Sequence, residues 1–259
     1  KSQYQKNINQ VLYYTIESKG IDEVENLVSN FLNEKNSFIF ESVEKGFIKG
    51  RYTIFGKNPD KIWEFNNNTC ILKFKNKKHK IKGNPKQNIE KIIEDFKFKT
   101  PDKLPPICSL ISGYFSYDII RYIEKIPNDN KDDLKIPDAR ILRPRNLIIH
   151  DNIKKKLHFI VNVYKDEKIK NFNLKYDEII NQIEEMVFLA NYSQISINKD
   201  IPKNIIKIKS NTTKKKFLTN VIKAKKYIKI GDIFQVVLSQ RFETKLTKSP
   251  IEIYKKLRK

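Results

Sequence analysis

Strand-forming segments in this chain follow one another across turns too short to hold a crossover helix. Residues 62–65 and 70–74 flank Asn66-Asn67-Asn68, and only a short polar stretch separates 141–149 from 157–164. Parallel pairing needs a connection of a dozen or more residues, so neighbours this close pair antiparallel. Helical segments are interspersed, but they do not alternate with strands one for one as in a parallel α/β fold. The expected class is therefore α+β with antiparallel β-sheets.

The periodicities fill in that outline. Residues 21–32 place Val24, Leu27, Val28 and Phe31 on one helical face. Residues 37–43 read as a strand, and 52–55 as a second that ends at Gly56 and turns through Asn58-Pro59. The Asn66–Asn68 turn reads as longer than the tightest hairpin types. Asn84-Pro85 opens a helix with the stripe Ile89, Ile92, Ile93 and Phe96. Residues 110–115 form a strand containing Gly113, followed by a short helix. In 157–164, Leu157, Phe159, Val161 and Val163 alternate with polar partners except at Ile160, as in a half-buried strand. Residues 177–189 are helical. Thr212 or Thr213 caps a helix striped with Phe217, Val221, Ala224 and Ile228, which closes at Gly231. Ser249-Pro250 opens a last helix. The organisation expected is an amino-terminal lobe over 1–190, a polar connection over 191–211 and the start of a second domain over 212–259.

Composition narrows the function classes. The net charge of +22 comes from lysines spread along the whole chain. Electrostatic steering of nucleic acid needs a clustered patch, so these lysines read as solvated surface. No run of about eighteen apolar residues is present to span a membrane, and no apolar core follows the first residues as in a signal peptide. Cys70 and Cys108 stand apart inside apolar runs, as buried free thiols of a cytoplasmic protein do. His79, His150 and His158 lack ligand spacing for zinc. None of the seven glycines forms a phosphate-cradling loop. The acidic pairs Asp132-Asp133 and Glu184-Glu185 are adjacent, and adjacent side chains do not converge on one helix face.

One segment is unusual. Residues 233–242, after Gly231-Asp232, are so apolar that a strand here needs both faces covered. Gln235, Ser239 and Arg241 are its polar exceptions, and they share a strand face with Ile233 and Val237. A buried amide without partners costs roughly 1–3 kcal/mol. Gln235 therefore either bonds core backbone or lines a polar cavity, and spacing does not choose between them.

Residues 226–242, Lys-Tyr-Ile-Lys-Ile-Gly-Asp-Ile-Phe-Gln-Val-Val-Leu-Ser-Gln-Arg-Phe, closely resemble the segment that opens the chorismate-binding domain of the anthranilate synthase component I family. Residues 112–124, Ser-Gly-Tyr-Phe-Ser-Tyr-Asp-Ile-Ile-Arg-Tyr-Ile-Glu, followed by Pro137-Asp138-Ala139, resemble its middle signature. Phe38-Ile39-Phe40-Glu41-Ser42 and Gly50-Arg51-Tyr52-Thr53-Ile54-Phe55-Gly56 resemble its amino-terminal effector region.

The resemblance implies antiparallel sheets packed as a sandwich with flanking helices, cut short before the end of the fold. It implies a reaction in which chorismate and ammonia give anthranilate and pyruvate. Ammonia would come from a glutamine amidotransferase partner, component II. Magnesium would be held by glutamates in a carboxy-terminal half, so no metal ligand is expected in this chain. Tryptophan, the feedback inhibitor, would sit on Phe40, Glu41 and Ser42, with Phe in place of the usual Leu, and on Arg51, Tyr52 and Thr53. A carboxylate and a hydroxyl suit its ammonium, and a guanidinium suits its carboxylate. Gln235 would line the substrate cavity, at a position that is Lys in related enzymes that activate water. A neutral amide cannot deprotonate water, and ammonia needs no such help. The rival readings are the large subunit of aminodeoxychorismate synthase and a non-catalytic tryptophan-binding lobe.

Overall fold

The computed structural model describes residues 8–41, 50–96, 98–129, 131–192 and 207–258. The chain divides into two compact units, Lys1–Ile195 and Ser196–Lys259.

The first unit is built on one eight-stranded antiparallel sheet. Its strands are β1 (Gln10–Glu17), β2 (Phe38–Glu41), β3 (Tyr52–Asn66), β4 (Thr69–Phe74), β5 (Lys77–Ile81), β6 (Ser112–Phe115), β7 (Ala139–Asp151) and β8 (Lys156–Val163). The spatial order is β1-β8-β7-β3-β4-β5, with β2 added on β3 and β6 on β7. The class is α+β, as the short turns require. In this unit the described strands form one antiparallel sheet with flanking helices.

Two long strands organise it. β3 does not end at Gly56; it runs for 15 residues through Asn58-Pro59 to Asn66. Half of it pairs with β2 and the other half with β4, while β7 lies along its whole length. Pro59 stands opposite Pro144, and the register shifts between Pro59 and Lys61. Neither proline has an N–H for the ladder, and an extra residue, Asp60, is accommodated as a bulge, which bends a strand. Periodicity alone makes this look like a turn. The strand persists because charged side chains fasten it there. Asp60 accepts from Arg143 Nε at 2.8 Å and from Nη2 at 2.5 Å, and Asp166 accepts from Arg143 Nη2 at 2.9 Å. Lys61, directly opposite Arg143, also donates to Asp166. Two cations facing each other would repel, and the shared Asp166 carboxylate offsets that.

Helix α1 (Ile21–Asn30) buries Val24, Leu27 and Val28, with Phe31 just past its end. Phe31 meets Phe55 edge-on at 6.3 Å. The long helix α3 (Phe172–Asn191) buries Ile179, Ile183, Met186 and Ala190. With helices on one face and an aromatic-aliphatic cluster on the other, β8 is buried along almost its full length, so its alternation does not mark a half-exposed strand. Helix α2 (Pro85–Asp95) is capped by Asn84, whose side chain accepts from the Lys86 amide at 2.8 Å. It turns Ile92 and Asn88 inward and leaves Ile93 exposed.

The β3–β4 turn is tighter than its three asparagines suggest: Asn66 pairs with Thr69, leaving Asn67 and Asn68 as the loop, with Asn67 at φ 49°. Asparagine tolerates that left-handed backbone better than most residues. β1 carries the aromatic and β-branched run that marks a strand, whereas β5 lacks any such apolar pattern. β5 reads Lys-Lys-His-Lys-Ile and is largely exposed at the sheet edge, where lysines discourage pairing with another chain.

The second unit holds helix α4 (Lys214–Ile230), helix α5 (Pro250–Arg258) and a two-residue ladder of β9 (Lys209–Ser210) with β10 (Phe242–Glu243). Thr213 caps α4 by accepting from the Lys216 amide at 3.3 Å. Gly231 ends it at φ 86°, the left-handed turn that favours glycine. At α5, Ser249 and Glu252 form a reciprocal capping box. Among the described residues, no helix is long and apolar enough to cross a membrane.

Candidate functional site

The effector-region residues gather at one end of β2 and β3. Glu41 stands opposite Thr53, and Phe40 opposite Ile54. Across the next ladder, Thr53 stands opposite His150 and Tyr52 opposite Asp151. Residues directly opposed in a sheet share a face. Glu41, Thr53 and His150 therefore form a row across three strands. Thr53 and His150 are buried, Glu41 and Tyr52 are half-buried, and Phe40 is exposed. Ser42 lies outside the described residues.

Arg51 has a protein partner of its own. Its Nε and Nη2 donate to Asp151 at 3.2 Å and 2.9 Å, and its guanidinium lies 4.7 Å from the Tyr52 ring centre. Asp151 also accepts from the amides of Ile153 at 3.1 Å and Lys154 at 3.0 Å, which closes the β7–β8 turn. Burial alone would raise the Asp151 carboxyl; the Arg51 and amide hydrogen bonds outweigh it and hold the group below its ordinary value. The Arg51 guanidinium is thus paired with a bidentate carboxylate of the protein in this structure.

A polar cluster that sequence reasoning missed lies beside this row. Ser18 Oγ donates to Glu23 Oε2 at 2.8 Å and sits 2.9 Å from His150 Nε2. The one hydroxyl proton goes to Glu23, which assigns the imidazole proton to Nε2, and Nδ1 has no partner among the described residues. Histidine is here the donor to the serine. This is the reverse of what nucleophilic activation needs, so the cluster is a structural one. Burial lowers the pKa of both His150 and His158.

These shifts set a pH dependence. The two histidines resist protonation in the fold and accept it from about pH 6.5 downward once unfolded. Asp151 and Asp166, held low by arginine and lysine partners, act with the same sign at lower pH. The unfolded state binds more protons, so stability is complete above pH 6.5 and falls on acidification. Thermal unfolding midpoints measured from pH 8 to pH 4 should stay level at first and then decline from about pH 6.5; a midpoint that rises on acidification contradicts this linkage.

The middle signature is a structural joint. Asp138 accepts from the Tyr122 hydroxyl and from the Asn67 amide, each at 2.7 Å. Its own amide donates to the Phe65 carbonyl at 2.8 Å, and its carbonyl accepts from Ser116 at 2.7 Å. Together these tie the β3–β4 turn to the 3₁₀ segment Tyr117–Tyr122 and to the start of β7. A Cβ on Gly113 would collide with the Arg140 carbonyl of the paired strand, which accounts for glycine there.

Gln235 is not where the apolar run predicts. Residues 233–241 form no ladder, and Gln235 is exposed, with Phe234 94% and Val237 81% exposed. The physical reason is simple: a strand needs neighbours, and the only ladder found in this unit among the described residues is the one to Lys209–Ser210. The buried-strand expectation for 233–242 is corrected for this chain. Among the described residues no group of three or more His, Cys, Asp or Glu side chains is placed to hold a metal ion.

The family model for chorismate binding enzymes matches residues 35–259. The chain belongs to the chorismate binding enzyme family. Within the family, it is 36% identical over 238 residues to anthranilate synthase component 1 of Acetivibrio thermocellus, covering 90% of this chain and 48% of that protein. It is 33% identical over 247 residues to anthranilate synthase alpha subunit 2, chloroplastic, of Arabidopsis thaliana, covering 86% and 38%. The crystal structure of anthranilate synthase component I from Streptococcus pneumoniae superposes with a TM-score of 0.66 at 23% identity, over 94% of this chain and 53% of that one. The fold is therefore that of anthranilate synthase component I, and the chain spans about half the length of the curated relatives it matches.

Proposed function

We propose that this chain is the amino-terminal half of an anthranilate synthase large subunit. In the completed enzyme, ammonia adds to the ring of chorismate, the ring hydroxyl leaves as water and pyruvate is eliminated, giving anthranilate. A glutamine amidotransferase subunit supplies the ammonia. The observation that carries the reading is similarity to proteins named anthranilate synthase component 1 across nine-tenths of the chain.

In this reading Gln235 faces the substrate cavity once the second unit is continued. Its amide can donate and accept hydrogen bonds but cannot act as a base at neutral pH. That suits a nucleophile that arrives with its lone pair ready. Glutamates of the other half would hold magnesium, which would supply positive charge for the substrate carboxylate. Tryptophan binds at the open end of β2 and β3 on Phe40, Glu41, Ser42, Tyr52 and Thr53, with Glu41 taking the ammonium. Arg51 contributes by holding the β3 end through Asp151, or by exchanging that partner for the ligand.

The test is a completed protein in which this chain is joined to the carboxy-terminal half of the Acetivibrio relative, or co-expressed with it. Supplied with chorismate, ammonium and magnesium, it should release anthranilate, read by its fluorescence, and free tryptophan should inhibit it. The 259-residue chain alone should release none. Turnover by the chain alone, or 4-amino-4-deoxychorismate as the product, overturns the reading.

A further inference from the structure

A cavity lies away from the β2–β3 end, between helix α2 and the far half of the sheet. Its volume is about 300 Å³. Trp63, Leu72 and Ile92 give it apolar walls, and Trp63 and Ile92 also belong to the adjoining core cluster. Roughly 150 Å³ of apolar cavity already takes a benzene ring, so this space fits one ring with a substituent.

Its polar lining is unbalanced. Lys61, Lys91, Arg143 and Lys165 face two acids, Asp95 and Asp166, and Asp60 behind the lining also pairs with Arg143, which leaves one positive charge in excess. Asp166 is already shared between Lys61 and Arg143. Lys91 and Lys165 are exposed, and among the described residues neither takes part in an ion pair. Asn88 also lines the cavity; it is 9% exposed, and its Nδ2 is buried with no acceptor among the described residues. A buried amide donor without an acceptor costs about 1–3 kcal/mol. Apolar walls, an unanswered donor and surplus positive charge together describe a receptor for an apolar ring that carries an anionic acceptor.

We propose that this cavity binds a small aromatic or alicyclic carboxylate. The ring packs on Trp63, Leu72 and Ile92. The carboxylate lies toward Asn88 and the two lysines, where charge-assisted hydrogen bonds are stronger than neutral ones. The site is separate from the tryptophan-binding end, and it does not depend on the proposed activity.

Trp63 is the one tryptophan in the chain, so its indole reports on this cavity alone. The experiment titrates the full chain with benzoate, cyclohexanecarboxylate and the neutral isostere benzamide. Binding is read from the single indole N–H cross-peak and from Trp63 emission. Both carboxylates should give saturable changes, and benzamide should bind roughly tenfold more weakly, the loss of one charge-assisted interaction. The double variant Lys91→Glu, Lys165→Glu alters exposed side chains and should weaken benzoate by about tenfold while leaving benzamide unchanged. Asn88→Ala should weaken benzoate as well; the lysine variant carries the test if Asn88→Ala does not fold. A linear, non-saturating response means that water alone fills the cavity and overturns the proposal. Equal affinity for benzoate and benzamide, or indifference to the lysine changes, also overturns it.

Discussion

Arg143→Ala should remove about 3–5 kcal/mol of stability, the usual loss when one partner of a buried ion pair is deleted. Asp60 sits in the bulge of β3 with its side chain 5% exposed, and Arg143 is its bidentate partner. Without the guanidinium, a carboxylate is left buried at the point where two facing prolines already interrupt the ladder. The same guanidinium stacks 3.8 Å from the Tyr164 ring centre, and the Tyr164 hydroxyl donates to the Pro144 carbonyl at 2.6 Å. The change therefore loosens both sides of the joint. Urea unfolding followed by Trp63 emission should show a lower midpoint with an unchanged slope. The double variant Arg143→Met, Asp60→Leu should recover most of the loss, because an apolar pair of similar volume costs little in place of a buried ion pair. A single-variant loss below about 1 kcal/mol would mean that the charges are surface decoration.

Gln235→Lys should reduce anthranilate formation by the completed enzyme by about a hundredfold or more, the low end of what one general acid–base group is worth. An amine in a closed cavity near neutral pH can take a proton from water, as a neutral amide cannot. A lysine at 235 therefore both sets an unbalanced charge beside ammonia's path and gives water a base. A hydroxylated product should appear as anthranilate falls, measured by separating the products of one chorismate incubation. Unchanged anthranilate output would remove Gln235 from the cavity.

What could be read from the sequence divides along physical lines. Helices α1, α2, α4 and α5 were legible because capping residues and apolar spacing are local signals: Asn84, Thr213, Gly231 and Ser249 each do in the fold what their position suggests. The continuity of β3 was not legible, because Asn58-Pro59 is a turn signal that tertiary pairing with β7 and the Asp60–Arg143 contact override. β5 was hidden by its lysines, which suit an edge and nothing else. The polar cluster of Ser18, Glu23 and His150 was also hidden, since His150 stands 132 residues from Ser18 along the chain. Of the effector region, the pairing of Glu41 with Thr53 follows from two strands that the sequence already indicated. The partner of Arg51, Asp151, comes from a strand end no local pattern points to.

Segment 233–242 carries the central claim of the proposed function: an apolar run that holds Gln235, exposed in this chain, becomes an interior strand when the other half of the fold is present. Hydrogen exchange of its backbone amides measures this directly. In the chain alone the amides of residues 233–240 should exchange at nearly the rate of unstructured peptide, since they have no ladder among the described residues. In the completed protein they should become protected to the level of the core strands. Rapid exchange that persists in an active, completed protein would contradict the account, because Gln235 would then lie on a loop rather than on the wall of a substrate cavity.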